Sequence, residues 1–128
     1  MIFKKTWINI SDSTNVEWVQ IFHLYKGFNR KKTGIGNFVK GSARVVEPPR
    51  LEYKGFKYKY NVKGDICRGI IVRTRYVIRR NDGVVIFFKA NNMILIRKRQ
   101  DVKPKYIYGP TSEKLKRKRF ITIFKTVI

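Results

Sequence analysis

The chain is poor in the residues that usually carry chemistry. Its one cysteine, Cys67, rules out an intrachain disulfide and a multi-cysteine zinc site, and its one histidine, His23, leaves no histidine cluster for a catalytic metal. Acidic residues number 8 against 30 Lys and Arg. They are also scattered: Asp12, Glu17, Glu47, Glu52, Asp65, Asp82, Asp101 and Glu113 never fall two to four positions apart, so local geometry makes no general acid and base pair and no magnesium site. Gly34-Ile35-Gly36 lacks the third glycine and the strand-to-helix setting of a dinucleotide fingerprint and reads as a turn. Long apolar runs are missing too, since Lys, Arg or Asn interrupts every hydrophobic stretch well short of the roughly 20 residues of a membrane span. The opening residues have neither the apolar core of a secretory signal nor the Arg- and Ser-rich stretch of an organelle presequence, so the product is expected to act where it is made. Without a signal peptide the sequon Asn9-Ile10-Ser11 is set aside. No enzyme, cofactor or metal is expected, and Cys67 and His23 are read as packed side chains.

What is abundant is positive charge. The formal net charge is +22 over 128 residues, and an excess of that size needs an anionic partner. With 43% hydrophobic and 14% aromatic residues the chain can still fill a core, so it is not simply a disordered basic tail. Isoleucine, lysine, phenylalanine, asparagine and tyrosine are heavily used, while alanine occurs only at Ala43 and Ala90. That skew suggests an AT-rich genome, which an organelle gene or an AT-rich bacterium would equally explain.

Short runs of β-branched and aromatic residues, broken by Gly, Pro, Asn and Asp, predict a small all-β barrel or sandwich. Strands are expected over 6–10, 17–25, 38–46, 66–75, 84–88, 93–96 and 120–124. The run 66–75 is apolar on both faces in its middle and basic at its exit, so a buried strand should deliver Arg73 and Arg75 to a rim. Asn81-Asp82-Gly83 predicts a hairpin with a tight primed turn, flanked by Arg79 and Arg80. Pro48-Pro49 interrupts the sheet, and residues 50–63, rich in Lys, Tyr and Gly, read as an extended basic arm or hairpin. Only 112–119 looks helical, with Ser112 as its cap and Leu115 on its buried side.

Basic residues are spread over loops and arms and interleaved with aromatics, as in Tyr53-Lys54-Gly55-Phe56-Lys57-Tyr58-Lys59-Tyr60, a combination that can neutralise phosphates and stack on unpaired bases. Candidate RNA-binding residues are Arg30, Lys31 and Lys32 in the first glycine-marked loop, Lys54, Lys57 and Lys59 in the arm, Arg73, Arg75, Arg79 and Arg80 around the hairpin, and Arg97 and Arg99 beyond it. From the residues alone the reading stops at a structured RNA binder. A free OB-like nucleic-acid module is the alternative, and a nuclease whose acids converge only in space is a remote third.

Several motifs in order carry a resemblance. Lys63-Gly64-Asp65, Gly69-Ile70-Ile71-Val72-Arg73-Thr74-Arg75, Arg79-Arg80-Asn81-Asp82-Gly83, Phe88-Lys89-Ala90-Asn91-Asn92-Met93-Ile94-Leu95-Ile96 and Tyr108-Gly109-Pro110-Thr111-Ser112-Glu113-Lys114-Leu115, together with the amino terminus, resemble the universal large-subunit ribosomal protein L-fourteen family in its bacterial and organellar form. The departures are Ile94 for valine, Asn81 for proline, Lys114 for arginine, and a segment around 49–60 longer than the family's loop. The resemblance implies a closed five-stranded β-barrel, a single domain over 1–128 with a basic arm at 48–63 and a short helical C-terminal extension at 109–128. It implies a structural role in the large ribosomal subunit: binding large-subunit rRNA, touching the neighbouring protein L-nineteen, bridging to small-subunit rRNA and offering a dock to the ribosomal silencing factor. Lys114, Arg117 and Lys118 are the residues it places at the subunit interface. With the composition, it implies an organelle-encoded protein of the mitochondrial ribosome, a plastid or an AT-rich bacterial cytoplasm being the alternatives.

Overall fold

The computed structural model describes residues 2–25, 31–47, 62–96, 107–115 and 121–128. Among these run nine strands: β1 (Ile2–Phe3), β2 (Trp7–Ile10), β3 (Val16–Leu24), β4 (Lys32–Thr33), β5 (Phe38–Val46), β6 (Ile66–Arg73), β7 (Ile78–Arg79), β8 (Val85–Ile86) and β9 (Asn92–Ile96). Five of them close a barrel in the order β2-β3-β5-β6-β9. Each is antiparallel to the next, and the ring is sealed by a parallel pair in which Asn9 lies opposite Asn92 and Ile10 opposite Met93. This sequential order is an up-and-down arrangement and not the Greek key of an OB-fold, so the OB-like alternative finds no support in the topology.

Alternation builds the ring. On β3, Val16, Val19, Ile21 and Leu24 are buried, while Trp18 and Phe22 stay exposed. Irregularities in the β3–β5 pairing, at Val16/Trp18, Trp18/Val19 and Ile21/His23, give the extra coiling a small barrel needs. Gly41 and Gly69 are needed for room: a Cβ on either would lie 2.7 Å from a backbone oxygen, that of Gln20 or of Ile94. Ile70, Ile71 and Val72 are all buried, as are all five residues of β9. These strands are covered on both sides because the core cluster also takes in Leu115 and Phe124 from the C-terminal segment, with Ile78, Phe88, Ile107 and Ile121 packed against it. Asp12, buried at the end of β2, accepts a hydrogen bond from Leu95 N at 2.9 Å and so ties the first barrel strand to the last.

Five barrel strands match their expected ranges within one or two residues, and four local expectations are corrected. The run near 84–88 supplies only Val85–Ile86, which pairs with β7 outside the barrel. Ile121 to Phe124 is a turn closed by Phe124 N to Ile121 O at 3.1 Å, not a strand; a short apolar run fits either, and here Phe124 reaches the core without pairing. The hairpin loop holds three residues between Arg80 and Val84, and among the described residues only Gly83 in it has positive φ (87°), the geometry of a type I turn with a bulge instead of a primed turn. The start of the expected helix, Ser112 to Leu115, is a turn in which Leu115 N donates to Ser112 O at 3.0 Å. Its remainder, residues 116–119, lies outside the described residues, as does 48–61 of the basic arm.

Candidate nucleic-acid interface

Between β6 and β9 the chain leaves the barrel at Thr74 and returns at Asn91. The excursion is clipped at its base, where Phe88 N donates to Thr74 O at 3.3 Å and Arg75 N donates to the Asn91 side-chain oxygen at 2.9 Å. β7 and β8 form the projecting ribbon, with Ile78 opposite Ile86 and Arg79 opposite Val85. Beside it stands the C-terminal turn. Its position is fixed by Leu115, fully buried, and by the Thr111 hydroxyl, which donates to Val72 O at 3.1 Å. Residues 126–128 run alongside it in parallel, with Ile128 N donating to Thr111 O at 2.9 Å and Glu113 N donating to Ile128 O at 3.1 Å.

An open groove of about 1160 Å³ lies between ribbon and turn, lined by Arg75, Tyr76, Arg79, Arg80 and Lys114 among others. A smaller hollow of about 260 Å³ adjoins it, sharing Tyr76, Ile78 and Lys114 and adding Lys32. Five of the candidate residues, distant in sequence, therefore converge: Lys32, Arg75, Arg79, Arg80 and Lys114 surround the half-exposed ring of Tyr76. Arg75, Arg79, Lys32 and Lys114 are exposed, whereas Arg80 leans on the turn, in an ion pair with Glu113 at 3.8 Å and hydrogen-bonded to Ile128 O. Lys31 is exposed next to Lys32.

Arg73 is placed differently from its neighbour. Its guanidinium turns inward, donating from Nη1 to Tyr108 O (3.0 Å) and Pro110 O (2.9 Å) and from Nε to the Asn92 side-chain oxygen (3.3 Å). It lies over Gly109, where a Cβ would come within 2.9 Å of Arg73 Cζ. Burial pulls its pKa below the usual arginine value, yet arginine keeps its charge in proteins. The strand thus delivers one arginine to the rim and uses the other to hold the C-terminal segment. Arg30, Lys54, Lys57, Lys59, Arg97, Arg99, Arg117 and Lys118 lie outside the described residues.

Tyr76 escaped the sequence reading, although the pattern Arg75-Tyr76 is the same basic and aromatic interleaving noted in the arm. His23 packs edge-on against Tyr25 (ring centroids 5.0 Å apart), and Cys67 is a buried thiol. Among the described residues no group of three or more His, Cys, Asp or Glu could hold a metal ion. The arrangement is suited to gripping phosphates beside an aromatic ring.

A family model described as ribosomal protein L14p/L23e matches residues 1–127. The chain belongs to that family. It is a structural constituent of the large ribosomal subunit, associated there with rRNA and ribosomal proteins. Similar to it is the large ribosomal subunit protein uL14m of Tetrahymena pyriformis, 36% identical over 124 residues that make up 97% of each chain. Gly109, Pro110, Glu113 and Leu115 belong to the segment that Arg73 clamps and that walls the groove.

Proposed function

We propose that this ribosomal protein grips large-subunit rRNA through the groove between the β7–β8 ribbon and the C-terminal turn, without catalysing any reaction. The convergence of Lys32, Arg75 and Arg79 around Tyr76 carries this reading, with Lys114 on the facing turn left to the small subunit. Exposed cations on two walls can each neutralise a phosphate, and their fixed spacing holds a local RNA fold that would otherwise repel itself. Lys31, Arg80 and, from residues not described, Arg30, Lys54, Lys57, Lys59, Arg97 and Arg99 are assigned further phosphate contacts. Arg73 serves it indirectly, by positioning the turn.

The chain works as one domain, 1–128, in a mitochondrial ribosome, a location supported by its likeness to a uL14m protein. Lys114, with Arg117 and Lys118, faces small-subunit rRNA across an intersubunit bridge, and L-nineteen and the ribosomal silencing factor are its protein neighbours. Sedimentation of native lysate tests the first part. At moderately high salt the protein should stay with the large subunit, and its appearance at the top of the gradient would defeat the proposal. Charge reversal tests the second. Lys114→Glu with Lys118→Glu should leave large subunits assembled but lower the fraction that join small subunits. Unchanged joining at low salt, or failure to assemble at all, would remove the interface assignment.

A further inference from the structure

Both tryptophans of the chain, Trp7 and Trp18, stand on the outside of the barrel, 48% and 38% exposed. They belong to one array. Trp18, Gln20 and Phe22 point outward from β3 while Val19 and Ile21 are buried, and Trp7 lies directly opposite Gln20 on β2. Outward positions on a strand recur about every 7 Å, so Trp7 has Trp18 as a diagonal neighbour across the β2–β3 pair, and Phe22 follows beyond Gln20 at the Ile21/His23 irregularity, which puts the three exposed rings in a staggered row on one face. None of the three is needed to fill the barrel, whose interior is closed by aliphatic side chains.

The surroundings say what this row could bind. On the same outer surface Lys40 of β5 lies directly opposite Arg68 of β6, a like-charge cross-strand pair that is unfavourable until an anion bridges it. Lys5, two residues before Trp7, and Arg44 are exposed nearby in the strand order. Polar Asn9, Gln20 and Ser42 separate the rings and the cations. The cores of protein interfaces are continuous apolar patches depleted of charge, whereas platforms for single-stranded nucleic acid alternate rings with cations. A second copy of a chain with net charge +22 would be repelled.

We propose that the outer face of β2, β3 and β5 is a second RNA contact, different in kind from the groove: unpaired rRNA bases stack on Trp7, Trp18 and Phe22 while Lys5, Lys40, Arg44 and Arg68 hold the phosphates. The inference rests on the reading of the chain as an rRNA binder and adds single-strand recognition to it.

Because the only tryptophans lie in the row, their fluorescence reports on this face alone. The full-length protein is titrated with an unstructured RNA of about twelve nucleotides and with a duplex of the same length. Single-stranded RNA should quench tryptophan emission, and duplex should bind in a salt-dependent way with little quenching. Trp7→Leu with Phe22→Leu, checked by thermal melting to be folded, should weaken single-strand binding about tenfold or more. Its duplex affinity should stay within about twofold, since phosphate contacts carry that binding. Duplex binding with no quenching by single strands, or equal loss of both affinities in the variant, overturns the platform and leaves the face to a protein partner. Binding of neither RNA defeats the rRNA reading itself.

Discussion

Arg73 and Arg75 are two residues apart and have separate fates. Strand β6 ends between them, so Arg73 keeps the sheet's orientation and meets the carbonyls of Tyr108 and Pro110, while Arg75, past the end, is exposed in the groove. Charge-assisted hydrogen bonds of this kind contribute about 1.5–3 kcal/mol each at most, so Arg73→Ala should cost on the order of 2–3 kcal/mol in urea unfolding, and Arg75→Ala almost nothing. RNA affinity should show the reverse ranking in folded protein. Glu17 supplies a pH test. Its carboxyl is pushed above the usual 4.5, first by a hydrogen bond with Glu47, then by desolvation and by that neighbour's charge. A raised folded-state pKa means that the folded protein binds this proton more tightly than the unfolded chain does. The stabilisation is therefore complete below 4.5 and is lost as pH rises through the folded value. Glu17→Gln should accordingly melt at a higher temperature than wild type at pH 7 and lose that advantage as pH falls into the carboxylate range. An advantage independent of pH would show that the pair does not interact.

At the scale of elements, the ribbon and the C-terminal turn are small pieces with little core of their own. β7 and β8 are two residues each, and only Ile86 of the four is buried. The ribbon's shape depends on its loop, where Gly83 adopts φ 87° and Asp82 accepts a hydrogen bond from Val84 N at 3.1 Å. Forcing a side chain into that conformation costs about 1–2 kcal/mol, comparable to the stability of an isolated ribbon. Gly83→Ala should thus leave the melting temperature of the barrel nearly unchanged but weaken RNA binding, because one wall of the groove loses its fixed position. The turn behaves in the opposite way. Leu115 is fully buried beside Gly36, so Leu115→Ala should cost about 2–5 kcal/mol in global unfolding and release the segment that carries Lys114.

For the molecule as a whole, charge decides behaviour in solution. Thirty basic residues against eight acidic ones make RNA association dominated by counterion release. If about six to ten phosphates are contacted, log affinity should fall with log salt at a slope of roughly −4 to −9, and binding insensitive to salt would refute the groove assignment. The fold tolerates such charge because the barrel core is aliphatic and continuous with the C-terminal segment, leaving cations to the outside.

Composition and alternation determined that this chain is a small all-β barrel or sandwich with an anionic partner, since those are local properties: burying every second residue of strands such as Val16–Leu24 and Phe38–Val46 leaves few other folds, and a net charge of +22 is the same in any fold. Ordered motifs likewise sufficed for the family. Tertiary structure alone decided which cations share a site, because Lys32, Arg75 and Lys114 meet only when the barrel closes and Leu115 docks. It also separated Arg73 from Arg75 and turned the three-residue loop at Gly83, outcomes set by where a strand ends and which carbonyls lie within reach. Such details depend on hydrogen bonds between residues some 35 positions apart, and no pattern within a short window of sequence encodes them.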